Sequence, residues 1–226
     1  MRSLTFIQIS LFIVLCCGFA TAEQTQQCSE FDIQVIAPDA ELVDRTCAAA
    51  LRAKSFLQGC HLVQSRPLVI RVRRDGPHSG LLAHFSLRND EIVLPTPRFL
   101  VDILAKDSGY RAIPSEHLFN SFVVHEMAHA FFGRTRCGLE TCRAGHEYIA
   151  YALQLESLPE EQRTLFLAEF PSRGNVEIGI FNDFYHDLMP ERFAVDAWRH
   201  FSQPGFGCSF INDILLGQVT FPSEAE

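Results

Sequence analysis

The segment FNSFVVHEMAHAFFGR, Phe119 to Arg134, puts two histidines and a glutamate into what otherwise reads as an apolar helix. Pro114 followed by Glu116 marks the helix start. Leu118, Phe122, His125, His129 and Phe132 then recur at spacings of four, three, four and three residues, so they share one face. That face is the apolar stripe, and the histidines stand in it. Glu126 is one position round, beside Phe119, Val123 and Ala130, and also points partly inward. An ionised carboxylate there is costly unless it is paired or hydrogen-bonded.

A divalent cation removes the conflict. Histidines at i and i+4 converge on one ion, whose charge offsets burial of the carboxylate, and His125-Glu126-Met127-Ala128-His129 is the H-E-x-x-H pattern. The ion expected is zinc, held by imidazole nitrogens at about 2.0–2.1 Å with a fourth position open to water. The bland alternative is a secreted structural domain without metal. There the histidines bond each other or backbone carbonyls, and Glu126 pairs with an arginine such as Arg134.

Residues 1–22 read as a secretory signal: Arg2, an apolar run from Leu11 to Cys17, and Ala20-Thr21-Ala22 before Glu23. Gln8 and Ser10 leave that run shorter than the roughly 18 residues a spanning helix needs, so no membrane association is expected after cleavage. Cleavage shifts the formal net charge from −8 to −9 by removing Arg2, which makes nucleic acid an improbable partner. It also removes Cys16 and Cys17, leaving six of the eight cysteines. An even number in an exported chain argues for three disulfides. Cys137 and Cys142 flank a loop-like sequence and suit a local bridge. A helix from Ala40 to Gln58 would hold Cys47 and Cys60 beyond the roughly 7 Å that a bridge spans.

The remaining patterning predicts one domain over residues 23–226. Strands are expected at Phe31 to Ala37 and Pro67 to Val72, separated by the helix that Asp39 caps. LLAHFSL and EIVL, joined by Arg88-Asn89-Asp90, form a β-hairpin. Pro97 opens a short helix before the long one, and further helices are expected over Gly145 to Leu158, Glu191 to Ser202 and Phe206 to Leu216. Strands first and helices afterwards is an α+β arrangement.

Through HEMAH and the strand–hairpin–helix order before it, the chain resembles the zincin metallopeptidases over about Leu81 to Leu158. The fold implied is a small mixed sheet with a β-hairpin, then the metal-binding helix, then a helical C-terminal part. The metzincin branch would place glycine and a third histidine where Phe132 and Thr135 stand. The gluzincin branch takes its third ligand from a glutamate on the next helix, which Glu147 in GHEYIAYALQLESL matches. Glu147 heads a stripe with Ala150, Tyr151, Gln154, Leu155 and Leu158. The fuller branch signature would put asparagine and an acidic residue where His146 and Tyr151 stand. His146 is a rival ligand, and Glu156 and Asp187 are remote ones.

The ligand set His125, His129 and Glu147 implies an exported zinc hydrolase, secreted or periplasmic, acting on a peptide or protein substrate. Zinc makes hydroxide available near neutral pH, and Glu126 acts as general base. The resemblance further implies a tyrosine or histidine downstream that stabilises the transition state. Tyr185 and His186 are the candidates, with Tyr151 and His200 as further options. By the same analogy the hairpin around LLAHFSL lines the cleft and takes an extended peptide by strand addition. The alternative from another class is a zincin-like binding protein without turnover.

Overall fold

The computed structural model describes residues 23–28, 32–77, 81–133, 135, 142–172 and 174–222. The signal expected over residues 1–22 lies outside them, as do Arg134 and Cys137. Among the described residues, five strands form one mixed sheet accompanied by eight α-helices, an α+β architecture.

The first half alternates strand and helix. Strand β1 (Gln24–Cys28) runs antiparallel to β2 (Ile33–Ala37). Helix α1 (Ala40–Gln58) then crosses over to β3 (Leu68–Arg73), which is parallel to β2 as a helical crossover allows. Asp39 starts α1 by accepting the Leu42 N–H at 2.9 Å, as its sequence position predicts. Strands β4 (His84–Ser86) and β5 (Glu91–Pro95) form the expected hairpin, with Asp90 at φ 49 in the turn, a conformation aspartate tolerates. Because β5 pairs with β3, the order is β1-β2-β3-β5-β4, and β4 is left at an edge.

Period-two alternation decides the faces. Ile33, Val35, Leu68, Ile70, Val72, Ile92 and Leu94 are buried on the side where the helices pack, while Gln34, Arg71, Arg73 and Glu91 stand half-buried on the other. After α2 (Pro97–Ile103) and a 3₁₀ turn (Gly109–Ala112) comes α3 (Ser115–Phe132), which carries HEMAH. The sequence places one face of α3 inside, but the helix is buried all round. Val123, Val124, Met127 and Ala128 are as covered as the histidines. α3 packs on α1, α2, α4 (Arg143–Glu156) and the β4–β5 hairpin, so beyond its first turn it is covered on nearly every side.

Helices α5 (Glu160–Ala168), α6 (Asp183–Leu188), α7 (Pro190–Phe201) and α8 (Cys208–Leu215) complete the fold, and α7 packs along α4. Disulfides join Cys28 to Cys47 and Cys60 to Cys208, so Cys47 and Cys60 do not pair with each other. Cys142 is also disulfide-bonded, while the other member of the expected local bridge, Cys137, lies outside the described residues. The start of α4 is closely packed: a Cβ on Gly145 would stand 2.6 Å from Cys142 Sγ and 2.8 Å from the Phe221 ring. That packing fixes the helical turn from which Glu147 projects.

Candidate metal centre and its cleft

Helices α3 and α4 meet at three potential ligands. His125 and His129, one turn apart, bring their Nε2 atoms to 3.1 Å, with ring centroids 4.8 Å apart. Glu147, near the start of α4, places Oε2 at 3.6 Å from His125 Nε2 and Oε1 at 3.7 Å from His129 Nε2. One ligand atom from each residue lies within 4.8 Å of the other two.

Burial sets the charge state of this group. It depresses the His125 imidazole to about 3, against the hydrogen bond His125 makes to Gln154, and holds His129 well below the usual histidine range. Both rings are therefore neutral at pH 7, with lone pairs available. Burial raises Glu147 to about 7, partly opposed by the Arg143 guanidinium. It also pushes Glu126 well above the carboxylate range. The Glu147 charge adds to that shift, and a hydrogen bond from the Phe85 backbone N–H opposes it.

A buried relay fixes the orientation of His125. Ser121 Oγ–H donates to Leu118 O at 2.8 Å, so its lone pair accepts from Gln154 Nε2 at 3.4 Å. Gln154 Oε1 is then the atom 3.0 Å from His125 Nδ1, which requires the proton on Nδ1 and leaves the Nε2 lone pair facing His129 and Glu147. Gln154→Leu, which removes the acceptor while keeping an apolar core, is expected to weaken zinc binding by about 10–100-fold. Chelator competition is the measurement, and unchanged affinity would show that Gln154 does not hold the ring.

The three residues and Glu126 open on a cleft of about 520 Å³, walled by Leu81 to Phe85 on one side and by Tyr110, Phe122 and Tyr151 deeper in. His186 reaches this cleft, with Nε2 3.6 Å from Glu147 Oε2 and Nδ1 3.2 Å from both Asp187 Oδ1 and Arg143 Nη2. Tyr185, expected beside it, does not. Successive helical residues diverge by about 100°, and its hydroxyl instead donates to Asp196 Oδ2 at 2.6 Å, beside a separate cavity.

The other candidates also separate. Tyr151 lines the cleft with its ring 4.5 Å from that of His125. His200 lies in the core, bonded to Tyr148 Oη at 2.7 Å. His146 is expected to reach solvent or the cysteine loop. It does not reach solvent: it is fully buried against Phe132, at 4.5 Å between ring centroids, and stands outside the ligand group, while residues 136–141 of the cysteine loop lie outside the described residues. Glu156 accepts from Trp198 Nε1 at 2.8 Å, away from the cleft, and Asp187 pairs with Arg143 at its mouth.

Gln154, Tyr110 and Glu191 are site residues that the sequence reading does not single out. Gln154 does follow Glu147 by two helical turns on the same stripe, a usable signal. Tyr110 sits in a 3₁₀ turn and Glu191 follows a proline, where no periodicity points inward.

No curated protein and no solved structure matches the chain. A family model does match, over residues 33–224, under the description "Family of unknown function (DUF6639)", and the chain belongs to that family.

Proposed function

We propose that this protein is an exported zinc-dependent hydrolase of the zincin type that cleaves peptide bonds. The observation that carries the reading is the convergence of His125 Nε2, His129 Nε2 and the Glu147 carboxylate in one buried group, with Glu126 beside it. Two neutral imidazoles and one carboxylate are a donor set suited to zinc, and His125, His129 and Glu147 would hold it beside the cleft. A dication also offsets the burial that disfavours ionisation of both carboxylates. The paired cysteines are in keeping with an oxidising compartment. No described helix is long and apolar enough to cross a membrane.

Zinc in that position supplies Lewis acidity, which polarises a carbonyl and makes hydroxide available near neutral pH. Glu126 takes the proton from the attacking water and passes it to the leaving amine, as its place outside the ligand group permits. Its hydrogen bond from the Phe85 N–H ties the base to edge strand β4, alongside which an extended peptide can add. His186 donates to the developing oxyanion. Arg143 Nη2 and Asp187 Oδ1, each 3.2 Å from His186 Nδ1, hold the ring with Nε2 beside Glu147.

Zinc analysis of the folded protein after signal removal tests the reading, together with cleavage of a denatured protein substrate with and without a chelator. One zinc per chain and chelator-sensitive cleavage are expected. A folded protein that takes up no zinc would overturn the proposal, and zinc without turnover would leave a binding protein.

A further inference from the structure

We infer that the end of the cleft formed by Glu191 and Tyr110 is a subsite for a cationic group, an ammonium or guanidinium carried by the substrate. The inference deepens the metallopeptidase reading and rests on it only for the claim that the ligand is a substrate.

Glu191 lies in the first turn of α7, where the helix N-terminus favours a carboxylate, and its side chain lines the cleft. Two neutral donors hold it in place: Ser108 Oγ gives a hydrogen bond of 2.5 Å to Oε1, and the Gly109 N–H gives one of 2.8 Å to Oε2. Each oxygen keeps capacity for a further bond. Among the described residues no cation pairs with Glu191, whereas Asp187 has Arg143 and the Glu126 and Glu147 carboxylates adjoin the metal-ligand group. It is the cleft carboxylate left without compensation.

Tyr110 supplies the second, independent observation. The residue is 3% exposed and lines the same cleft, yet its hydroxyl has no hydrogen-bond partner among the described residues. Leaving such a group unsatisfied costs about 1–3 kcal/mol. The ring is not free to turn the hydroxyl toward another partner. It stacks on Phe166 at 4.6 Å and 13°, with Phe122 at 5.7 Å. The Gly109 N–H bond to Glu191 Oε2 anchors the carboxylate at the residue preceding Tyr110, and both side chains line the same cleft.

A cation answers both groups. Its N–H bonds are accepted by the free lone pairs of Glu191 and by the phenol oxygen, while Pro190 and Tyr151 provide apolar walls for an aliphatic stem. A neutral apolar side chain would leave the carboxylate uncompensated and the hydroxyl still unsatisfied.

Two arms test this. In the first, butylguanidinium and its uncharged analogue pentanamide are titrated into the folded protein, whatever its metal content, with NMR shifts as the readout. The cation is expected to bind at millimolar concentration and the amide not. Glu191→Gln should weaken the cation about tenfold or more, as loss of a charge-assisted bond implies. Tyr110→Phe should weaken it several-fold without lowering Tm. Equal binding of the two probes overturns the subsite.

In the second arm, the zinc-loaded protein digests matched peptides bearing lysine or norleucine, each with a free or acetylated N-terminus. A preference for lysine that survives acetylation identifies a side-chain subsite; one lost on acetylation identifies a terminal ammonium. In either case Glu191→Gln should cut the ratio of kcat/KM for cationic over neutral peptide by about 10–100-fold. Cleavage without any such preference also overturns the subsite. Cation binding without cleavage keeps the subsite and removes the peptidase reading, so the two failures are distinguishable.

Discussion

Glu147→Ala is expected to weaken zinc binding by orders of magnitude, while His146→Ala changes it by no more than about 10–100-fold. The two side chains are adjacent in sequence but leave α4 about 100° apart, and only Glu147 points at the histidine pair, at 3.6 and 3.7 Å. His146 packs on Phe132 and stacks on the His129 ring at 6.1 Å, so it supports the site without facing the ligand position. The pH dependence has a definite sign. His125 and His129 are already neutral near pH 7, so the proton that zinc must displace is the one Glu147 holds up to about 7.

Apparent affinity should therefore rise about tenfold per pH unit toward pH 7 and flatten above it. In the zinc-free protein the same group works against stability as pH rises. The native state keeps a proton that the unfolded chain gives up near 4.5, so its contribution declines between there and about 7. Chelator competition across that range decides the assignment. A site emptied by His146→Ala but not by Glu147→Ala would replace the carboxylate with a third histidine.

How much of this was legible in the sequence depended on how strongly local pattern and tertiary position agreed. The α1 cap, the β4–β5 hairpin and the long α3 carry both a boundary signal and a clear periodicity, and each lies where its pattern places it. Strand β1 carries neither. Gln24-Thr25-Gln26-Gln27 is exposed and polar throughout and is a strand because it pairs with β2. Helix α5 buries only Phe166, and α6 has six residues, too short for a helical period to register. The three converging ligands follow from spacing on two helices. The cleft wall does not, because Tyr110 and Glu191 reach it through a 3₁₀ turn and a helix start brought together by α7 packing along α4. Tyr185 and His186 were indistinguishable as a pair in sequence, and only the rotation of α6 sends one to the cleft and the other to Asp196.

Glu126→Gln is expected to abolish turnover while leaving zinc and fold in place. The substitution keeps the shape of the side chain and an oxygen that can accept the Phe85 N–H, but an amide cannot take a proton from water. Because burial raises the Glu126 carboxyl well above its usual range in the zinc-free protein and so favours its neutral form, a neutral amide there should change stability by less than about 1 kcal/mol. Glu126 stands outside the ligand group, so zinc affinity should move far less than in Glu147→Ala. Hydrolysis should fall by at least the 10²–10⁴-fold that general-base loss brings about. The diagnostic pattern is thus a split: chelator competition and thermal melting close to the parent protein, with kcat/KM collapsed. Cleavage undiminished in this variant would remove Glu126 as the base. Loss of zinc along with activity would make it a ligand, and the open coordination position on which the proposed chemistry depends would have to be sought on another face of the site.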